Sequence, residues 1–196
     1  DMVWADPPYG MNLDTDYSKL KGTRKSPNAL GYEYAPVIGD DKEFDFAPFL
    51  ELDAKEQIWW GADYYARQLP SGGSWDVWIK RNDADAEMIG NDFELCWSKS
   101  KHKKHAIRIR WVGWDATERG ETRTHPTQKP VALASWHIQK YGGDIVYDPF
   151  VGSGTTLIAA ENLSRQCRAV EISPGYCAVA LQRYLDTFGI RGELVG

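Results

Sequence analysis

Asp6-Pro7-Pro8-Tyr9 puts a carboxylate, two rigid residues and an aromatic hydroxyl into one turn. Two consecutive prolines end both helices and central strands, so the apolar run Val3 to Ala5 reads as a strand that stops in a stiff turn. There the Asp6 carboxylate and the Pro7 carbonyl can converge as acceptors, with the face of Tyr9 beside them. That set suits a planar ring bearing an amino group, whose hydrogens go to the acceptors while the tyrosine stacks on the ring. Taken alone, the same residues also suit a proline-stiffened surface turn with a solvent-facing aspartate.

A second constellation is Asp148-Pro149-Phe150-Val151-Gly152-Ser153-Gly154-Thr155-Thr156, a strand entering a helix through a glycine-rich turn. Gly152 and Gly154 allow backbone angles and a close approach that a side chain would block, and the helix start offers free N–H groups to an anion. An isolated glycine turn is a weak signal and equally describes a plain strand-to-helix connection. Glu171, at the end of the next strand, adds a carboxylate of the kind that accepts bonds from ribose hydroxyls. Together they indicate a nucleoside-containing cofactor.

Both motifs, with His125-Pro126-Thr127-Gln128-Lys129-Pro130 between them, resemble the DNA amino-methyltransferases that act on adenine N6 or cytosine N4. Their catalytic signature reads D/S/N-P-P-Y/F/W and their cofactor loop D-P-F-x-G-x-G-T-T. The catalytic motif precedes the cofactor motif here, as in the β group of these enzymes, and the similarity runs from residue 1 to about residue 188 with a divergent middle. The resemblance implies an S-adenosylmethionine-dependent methyltransferase fold, a Rossmann-like, doubly wound, mostly parallel α/β sheet. It also implies a small inserted target-recognition region over about 82–124, within one catalytic domain spanning 1–196.

Carried over residue by residue, the resemblance makes Asp6, Pro7, Pro8 and Tyr9 the catalytic pocket. Asp148, Pro149, Phe150, Gly152, Ser153, Gly154 and Thr155 would hold the methionine part of S-adenosylmethionine, and Glu171 its ribose. The 125–130 segment would close over the cofactor, with Gln128 and Lys129 as candidate contacts. Hydrogen bonds from the amino group to Asp6 and Pro7 would localise the nitrogen lone pair for in-line transfer, without covalent intermediate or metal. Asp6 leans toward adenine, where serine would lean toward cytosine. Cytosine N4 stays open as the alternative, as does a non-catalytic DNA-binding module. Glutamine methylation on proteins disagrees in motif residue and order, and no cysteine motif supports cytosine C5 chemistry.

DNA is the implied partner, and the resemblance leaves room for a homodimer and a cognate restriction nuclease. The net charge of −5 argues against coating nucleic acid through bulk electrostatics. Its distribution suggests docking on one side, through Lys99, Lys101, Lys103, Lys104, Arg108 and Arg110 and through Lys19, Lys21, Arg24 and Lys25. A lysine run is also a common guard on a sheet edge. Of the nine tryptophans, most are expected in the core, with Trp111 and Trp114 as candidates for contact with bases. The three cysteines are widely spaced and lack a C-x-x-C pair, so neither disulfides nor a zinc site is indicated.

The elements that must position these residues follow from patterning. At 196 residues and 42% hydrophobic, the chain suits one α/β domain. Strands are expected at Gln57 to Gly61, Trp75 to Lys80, Phe93 to Ser98, Asp144 to Tyr147 and Gln166 to Ile172. An alternating run from His105 to Trp111 suits a hairpin edge. Helices are expected at Ala62 to Leu69, Pro130 to Tyr141, Gly154 to Leu163 and from a Ser173 cap to Gly189, packed on the faces of a parallel sheet. Met11 to Pro36 reads as a long loop. No run approaches the roughly 18 apolar residues of a membrane helix and no signal peptide is apparent, which predicts a soluble intracellular protein. The chain opens directly on a strand, so its N-terminus reads as a trimmed or disordered end.

Overall fold

The computed structural model describes residues 1–16, 34–82, 91–111, 124–193 and 195. Seven strands form one sheet: β1 (Met2–Ala5), β2 (Glu56–Trp60), β3 (Ser74–Ile79), β4 (Phe93–Ser98), β5 (Ala106–Arg108), β6 (Ile145–Asp148) and β7 (Gln166–Ala169). Their spatial order is β5-β3-β4-β2-β1-β6-β7. β1 pairs in parallel with both β2 and β6, and β7 continues in parallel beyond β6. β4 alone runs against its neighbours, pairing antiparallel with β2 and β3. The catalytic turn after β1 and the glycine turn after β6 therefore leave the same edge of adjacent strands, at the point where strand order reverses. Open α/β sheets bind ligands at such a point.

Alternation along the strands builds two apolar layers. Met2, Trp4, Ile58, Trp60, Trp78 and Cys96 face α1 (Val131–Tyr141) and α2 (Thr155–Asn162). Val3, Ala5, Trp59 and Trp97 face the other way, onto Phe44, Phe46, Ala62 and Tyr65. Among the described residues that second face is covered by aromatic loops and short turns, where helices were expected on both. The segment Ala62 to Leu69 is likewise not an α-helix. It folds as turns and a single 3-10 turn, Ala66–Gln68. The Tyr65 hydroxyl donates to the Trp60 carbonyl, and the Gln68 amide accepts from Phe46 N–H and donates to the Phe44 carbonyl, at 2.7, 2.7 and 2.8 Å. These side-chain bonds replace the backbone ladder of a helix and pin the 44–46 segment to the sheet.

β5 is an edge strand, but it pairs in parallel with β3 and forms no hairpin. The chain leaves β4 at the edge opposite the catalytic turn, passes beneath β3, and rises again as β5. Ser74 Oγ accepts from His102 N–H at 2.7 Å, and Asp76 accepts from His105 N–H at 2.7 Å, holding that crossing. The expected inserted region over 82–124 is corrected accordingly: β4 and β5 fall inside it and belong to the main sheet. Residues 83–90 and 112–123 lie outside the described residues.

In the last third, α3 (Pro174–Phe188) starts at Ser173, whose side chain accepts from Tyr176 N–H, and ends at left-handed Gly189. Among the described residues no helix is long and apolar enough to cross a membrane. Gly154 caps α2 at φ +88°, and a β-carbon there would sit 3.1 Å from Ala180 Cβ on α3. Its glycine is thus required by backbone angle and by helix packing. Gly154→Ala should cost about 1–3 kcal/mol, read by chemical denaturation; unchanged stability would contradict this packing.

Candidate active site

A cavity of about 580 Å³ opens at the edge where β1, β6 and β7 end. Asp6, Pro7, Pro8 and Tyr9 line one side, Asp148 to Ser153 and Glu171 another, and Gln128 and Lys129 close a third. Thr155 also lines it, while Gly154 does not. The three sequence motifs, far apart in the chain, therefore share one concavity of small-molecule size.

The centre of the side lined by Asp6 to Tyr9 is the Lys129 ammonium. Its Nζ lies 2.6 Å from Asp6 Oδ2, 3.0 Å from Glu94 Oε2 and 3.1 Å from the Tyr9 hydroxyl. Tyr9 in turn donates its hydroxyl to Asp6 Oδ1. Both Asp6 oxygens are thus oriented, and Lys129, read from the sequence as a cofactor contact, is placed against the Asp6 carboxylate. Glu94, on β4, also pairs with Lys80 at the end of β3. Buried Lys129 and half-buried Lys80 balance the half-buried Asp6 and Glu94 carboxylates in charge, as partly desolvated ions require.

Burial raises Asp6 above the usual carboxylate range, against the pull of Lys129. Burial works against Lys129 ionising as well, but the Asp6 and Glu94 carboxylates outweigh it and raise its pKa. Burial alone would raise Glu94, yet Lys129 and Lys80 hold it at about 2. Sequence reasoning missed Glu94 and Lys80, because the pairing of β4 between β2 and β3 is what brings them to Asp6.

Further bonds fix the walls. Asp40 accepts from the N–H groups of Gly10, Met11 and Leu13 at 2.9, 3.1 and 2.8 Å, tying down the chain that leaves the catalytic turn. The Tyr9 ring lies against Tyr64, centroids 5.0 Å apart and nearly parallel. Gly61, at φ +62°, makes room for it, since a β-carbon there would fall 2.1 Å from the ring. Gln128 Oε1 accepts from Thr124 N–H at 2.8 Å and reaches Ser153 Oγ at 3.4 Å, while Thr155 donates to the Lys129 carbonyl at 2.9 Å. The 124–129 turn is thereby laced to the glycine turn. Glu171 accepts from Gly152 N–H and Ser173 N–H at 2.9 and 2.8 Å.

The basic run divides. Lys99 to Lys104 follow β4 at the sheet edge opposite the cavity, and Lys99 donates to the Ala54 carbonyl at 2.8 Å. Arg108 and Arg110 lie beyond the crossing, on the cavity edge, with Arg108 in register with Ile79. The expectation that Lys99, Lys101, Lys103 and Lys104 join them on one DNA-facing surface is therefore corrected by the direction of β4. Trp111 is core, 7% exposed, rather than a contact for bases. Lys19, Lys21, Arg24, Lys25 and Trp114 lie outside the described residues.

Asp148 is 2% exposed and accepts from Phe150 N–H at 2.9 Å and from the Thr156 hydroxyl. Burial pushes it up to about 7 from an ordinary 3.8, despite those two donors. The folded state therefore binds a proton that the unfolded chain gives up above pH 4. The stability from that proton is full below pH 4 and lost as pH rises through 7. Asp148→Asn should then match wild type near pH 4 and exceed it above pH 7 by roughly 3–4 kcal/mol, measured by denaturation across pH. Parallel profiles would contradict the assignment.

The chain is similar to DNA methylases in sequence and in fold. A family model described as DNA methylase matches residues 51–182, more than half of the chain and beginning after the catalytic turn. The Type II methyltransferase M2.MboI of Moraxella bovis is 29% identical over 125 residues, covering 62% of this chain and 44% of that protein. The Type II methyltransferase M2.DpnII of Streptococcus pneumoniae is 32% identical over 111 residues, covering 55% and 40%. The chain thus matches less than half the length of these relatives. In fold it is similar to the M1.HpyAVI–SAM complex, at TM-score 0.53 and 24% identity, covering 93% of this chain and 88% of that one. It is also similar to the cytosine-N4-specific PvuII DNA methyltransferase, at TM-score 0.59 and 17% identity, covering 96% and 80%. The chain belongs to the DNA methylase family of N6 and N4 amino-methyltransferases.

Proposed function

We propose that this chain forms the cofactor- and base-binding core of a DNA methyltransferase that transfers a methyl group from S-adenosylmethionine to adenine N6. The observation that carries this reading is the Asp6 carboxylate, oriented by Lys129 and Tyr9, in the same cavity as the Gly152 turn and Glu171.

The cavity residues fit the cofactor. Asp6, Asp148 and Glu171 present carboxyl groups to a ligand carrying a sulfonium and an ammonium, and Glu171 lies where a ribose diol can donate to it. Phe44, Phe150 and Ile172 supply apolar walls for the adenine. When bound, S-adenosylmethionine supplies a methyl group activated by its sulfonium.

The protein's part is to hold the amino nitrogen. Asp6 accepts one N–H, with the Pro7 carbonyl as the second acceptor, and this draws the lone pair out of conjugation with the ring. As the amino nitrogen takes the methyl group, the S–CH3 bond would break and its electron pair would leave on sulfur as a neutral thioether, while the nitrogen would become cationic and lose one proton. Asp6, raised by burial, is the adjacent base that can take it. Fixed acceptors aimed at developing positive charge need no reorganisation during transfer. Lys129 keeps Asp6 ionised and aimed, which makes it a positioning residue.

A base in this cavity has left the helical stack, so phosphates run past the cavity edge. Arg108 and Arg110 are on that edge, and DNA contact is assigned to them before Lys99 to Lys104. A restriction–modification setting, with a cognate nuclease, follows the Type II designation of the relatives and belongs to this proposal. Cytosine N4 is the second reading, favoured by the fold shared with the cytosine-N4-specific PvuII enzyme.

The test is incubation with labelled S-adenosylmethionine and unmethylated genomic DNA, followed by nucleoside mass spectrometry. N6-methyladenine is expected; N4-methylcytosine would reassign the base, and neither product despite cofactor binding would refute the activity. Asp6→Ala should lower turnover by on the order of 10²-fold or more while leaving cofactor affinity within a few-fold.

A further inference from the structure

Behind the catalytic pocket, on the face of the sheet covered by α1, three metal-ligating side chains meet from three elements. Asp76 comes from β3, Cys96 from β4 and His137 from α1, and one ligand atom of each lies within 4.8 Å of the others. All three residues are buried, at 1%, 0% and 0% exposure. His137 Nε2 stands 3.9 Å from Cys96 Sγ and 3.9 Å from Asp76 Oδ2.

The donors are turned inward. Asp76 Oδ1 accepts from His105 N–H at 2.7 Å, but Asp76 Oδ2 is buried without a hydrogen-bond partner. His137 Nδ1 is 3.1 Å from the Leu133 carbonyl, which places the imidazole proton on Nδ1 and turns the Nε2 lone pair toward Asp76 and Cys96. A carboxylate and an imidazole lone pair thus face each other away from water, with the Cys96 thiol beside them. Such a pairing is costly unless a cation or proton fills it. His102 Nε2 lies at the rim, 4.0 Å from Asp76 Oδ2 and 2.9 Å from Ser98 Oγ.

We propose that Asp76, Cys96 and His137, with His102 as the fourth ligand, form a structural zinc site. A thiolate with two imidazoles and a carboxylate selects zinc over calcium or magnesium, which prefer all-oxygen shells. Tetrahedral zinc, with metal–sulfur about 2.3 Å and metal–nitrogen about 2.0 Å, spaces its ligand atoms roughly 3.3–3.6 Å apart. The separations of 3.9 Å from His137 to Cys96 and to Asp76, 4.0 Å from His102 to Asp76 and no more than 4.8 Å between Cys96 and Asp76 close to that range by side-chain shifts. His102 reaches the metal by exchanging its contact with Ser98.

The site would clamp the elements that deliver the catalytic ions. Cys96 and Glu94 share one face of β4, β3 carries Asp76 and leads into Lys80, and Lys129 lies two residues before the helix that carries His137. The inference stands on these ligands and does not depend on the methyl-transfer reading.

The test is metal analysis of the purified chain by inductively coupled plasma mass spectrometry, then cobalt(II) titration after chelation. Expected are one zinc per chain and, with cobalt, a tetrahedral visible spectrum plus a near-ultraviolet thiolate charge-transfer band. Cys96→Ala should abolish that band. The Cys167→Ala/Cys177→Ala double variant, in which Cys96 is the sole thiol, should keep it, and this holds the test if Cys96→Ala does not fold. Absence of bound zinc together with no cobalt spectrum, a band that survives Cys96→Ala, or a band lost in the double variant would overturn the proposal.

Discussion

A buried ammonium shared by two carboxylates organises this molecule. Lys129 is 4% exposed and touches Asp6, Glu94 and Tyr9, so three segments distant in the chain must converge for its charge to be tolerated. Removing one partner from such a cluster leaves an uncompensated ion and typically costs about 3–5 kcal/mol. That penalty ties the catalytic turn to β4 and to the turn before α1, and gives Asp6 one orientation. The proposed function draws on the same bond, because an ionised and oriented carboxylate is a strong acceptor for an amino group.

The sheet makes this convergence possible. β4 enters between β2 and β3 against their direction, so its first residues arrive at the edge where the parallel strands end. Glu94 reaches the cavity edge for that reason, and the lysines that follow β4 are carried to the far edge for the same reason. One reversal of strand direction thus supplies an ion to the active site and removes a basic run from it.

What could be read in the sequence is what local chemistry dictates. Two prolines after an apolar run mark the Asp6 turn, glycines with an acid on the next strand mark the Gly152 turn, and Ser173-Pro174 with Gly189 bounds α3. Gly154 was legible as a special position for its backbone angle, though not for its packing against Ala180. Glu94, Lys80 and Asp40 carried no local signal, since their roles depend on strand order and on a loop thirty residues from its anchor. The Asp76, Cys96 and His137 cluster was invisible for the same reason: no short spacing relates its members. The segment Ala62 to Leu69 looked helical until the bonds made by Gln68 and Tyr65 showed what competes with a helix there.

The carboxyl groups along the cavity differ in protonation because their surroundings differ. Asp148, with only neutral donors, rises to about 7, whereas Asp6 is raised by burial but opposed by a lysine. In the proposed transfer Asp6 acts in its ionised form, so Lys129 should set the acid limb of activity. The direct test is the pH dependence of kcat/KM for wild type and Lys129→Met. The account predicts an acid limb displaced to higher pH in the variant, by on the order of one unit or more, with cofactor binding retained. An acid limb at the wild-type position, in a variant that folds and binds cofactor, would contradict it.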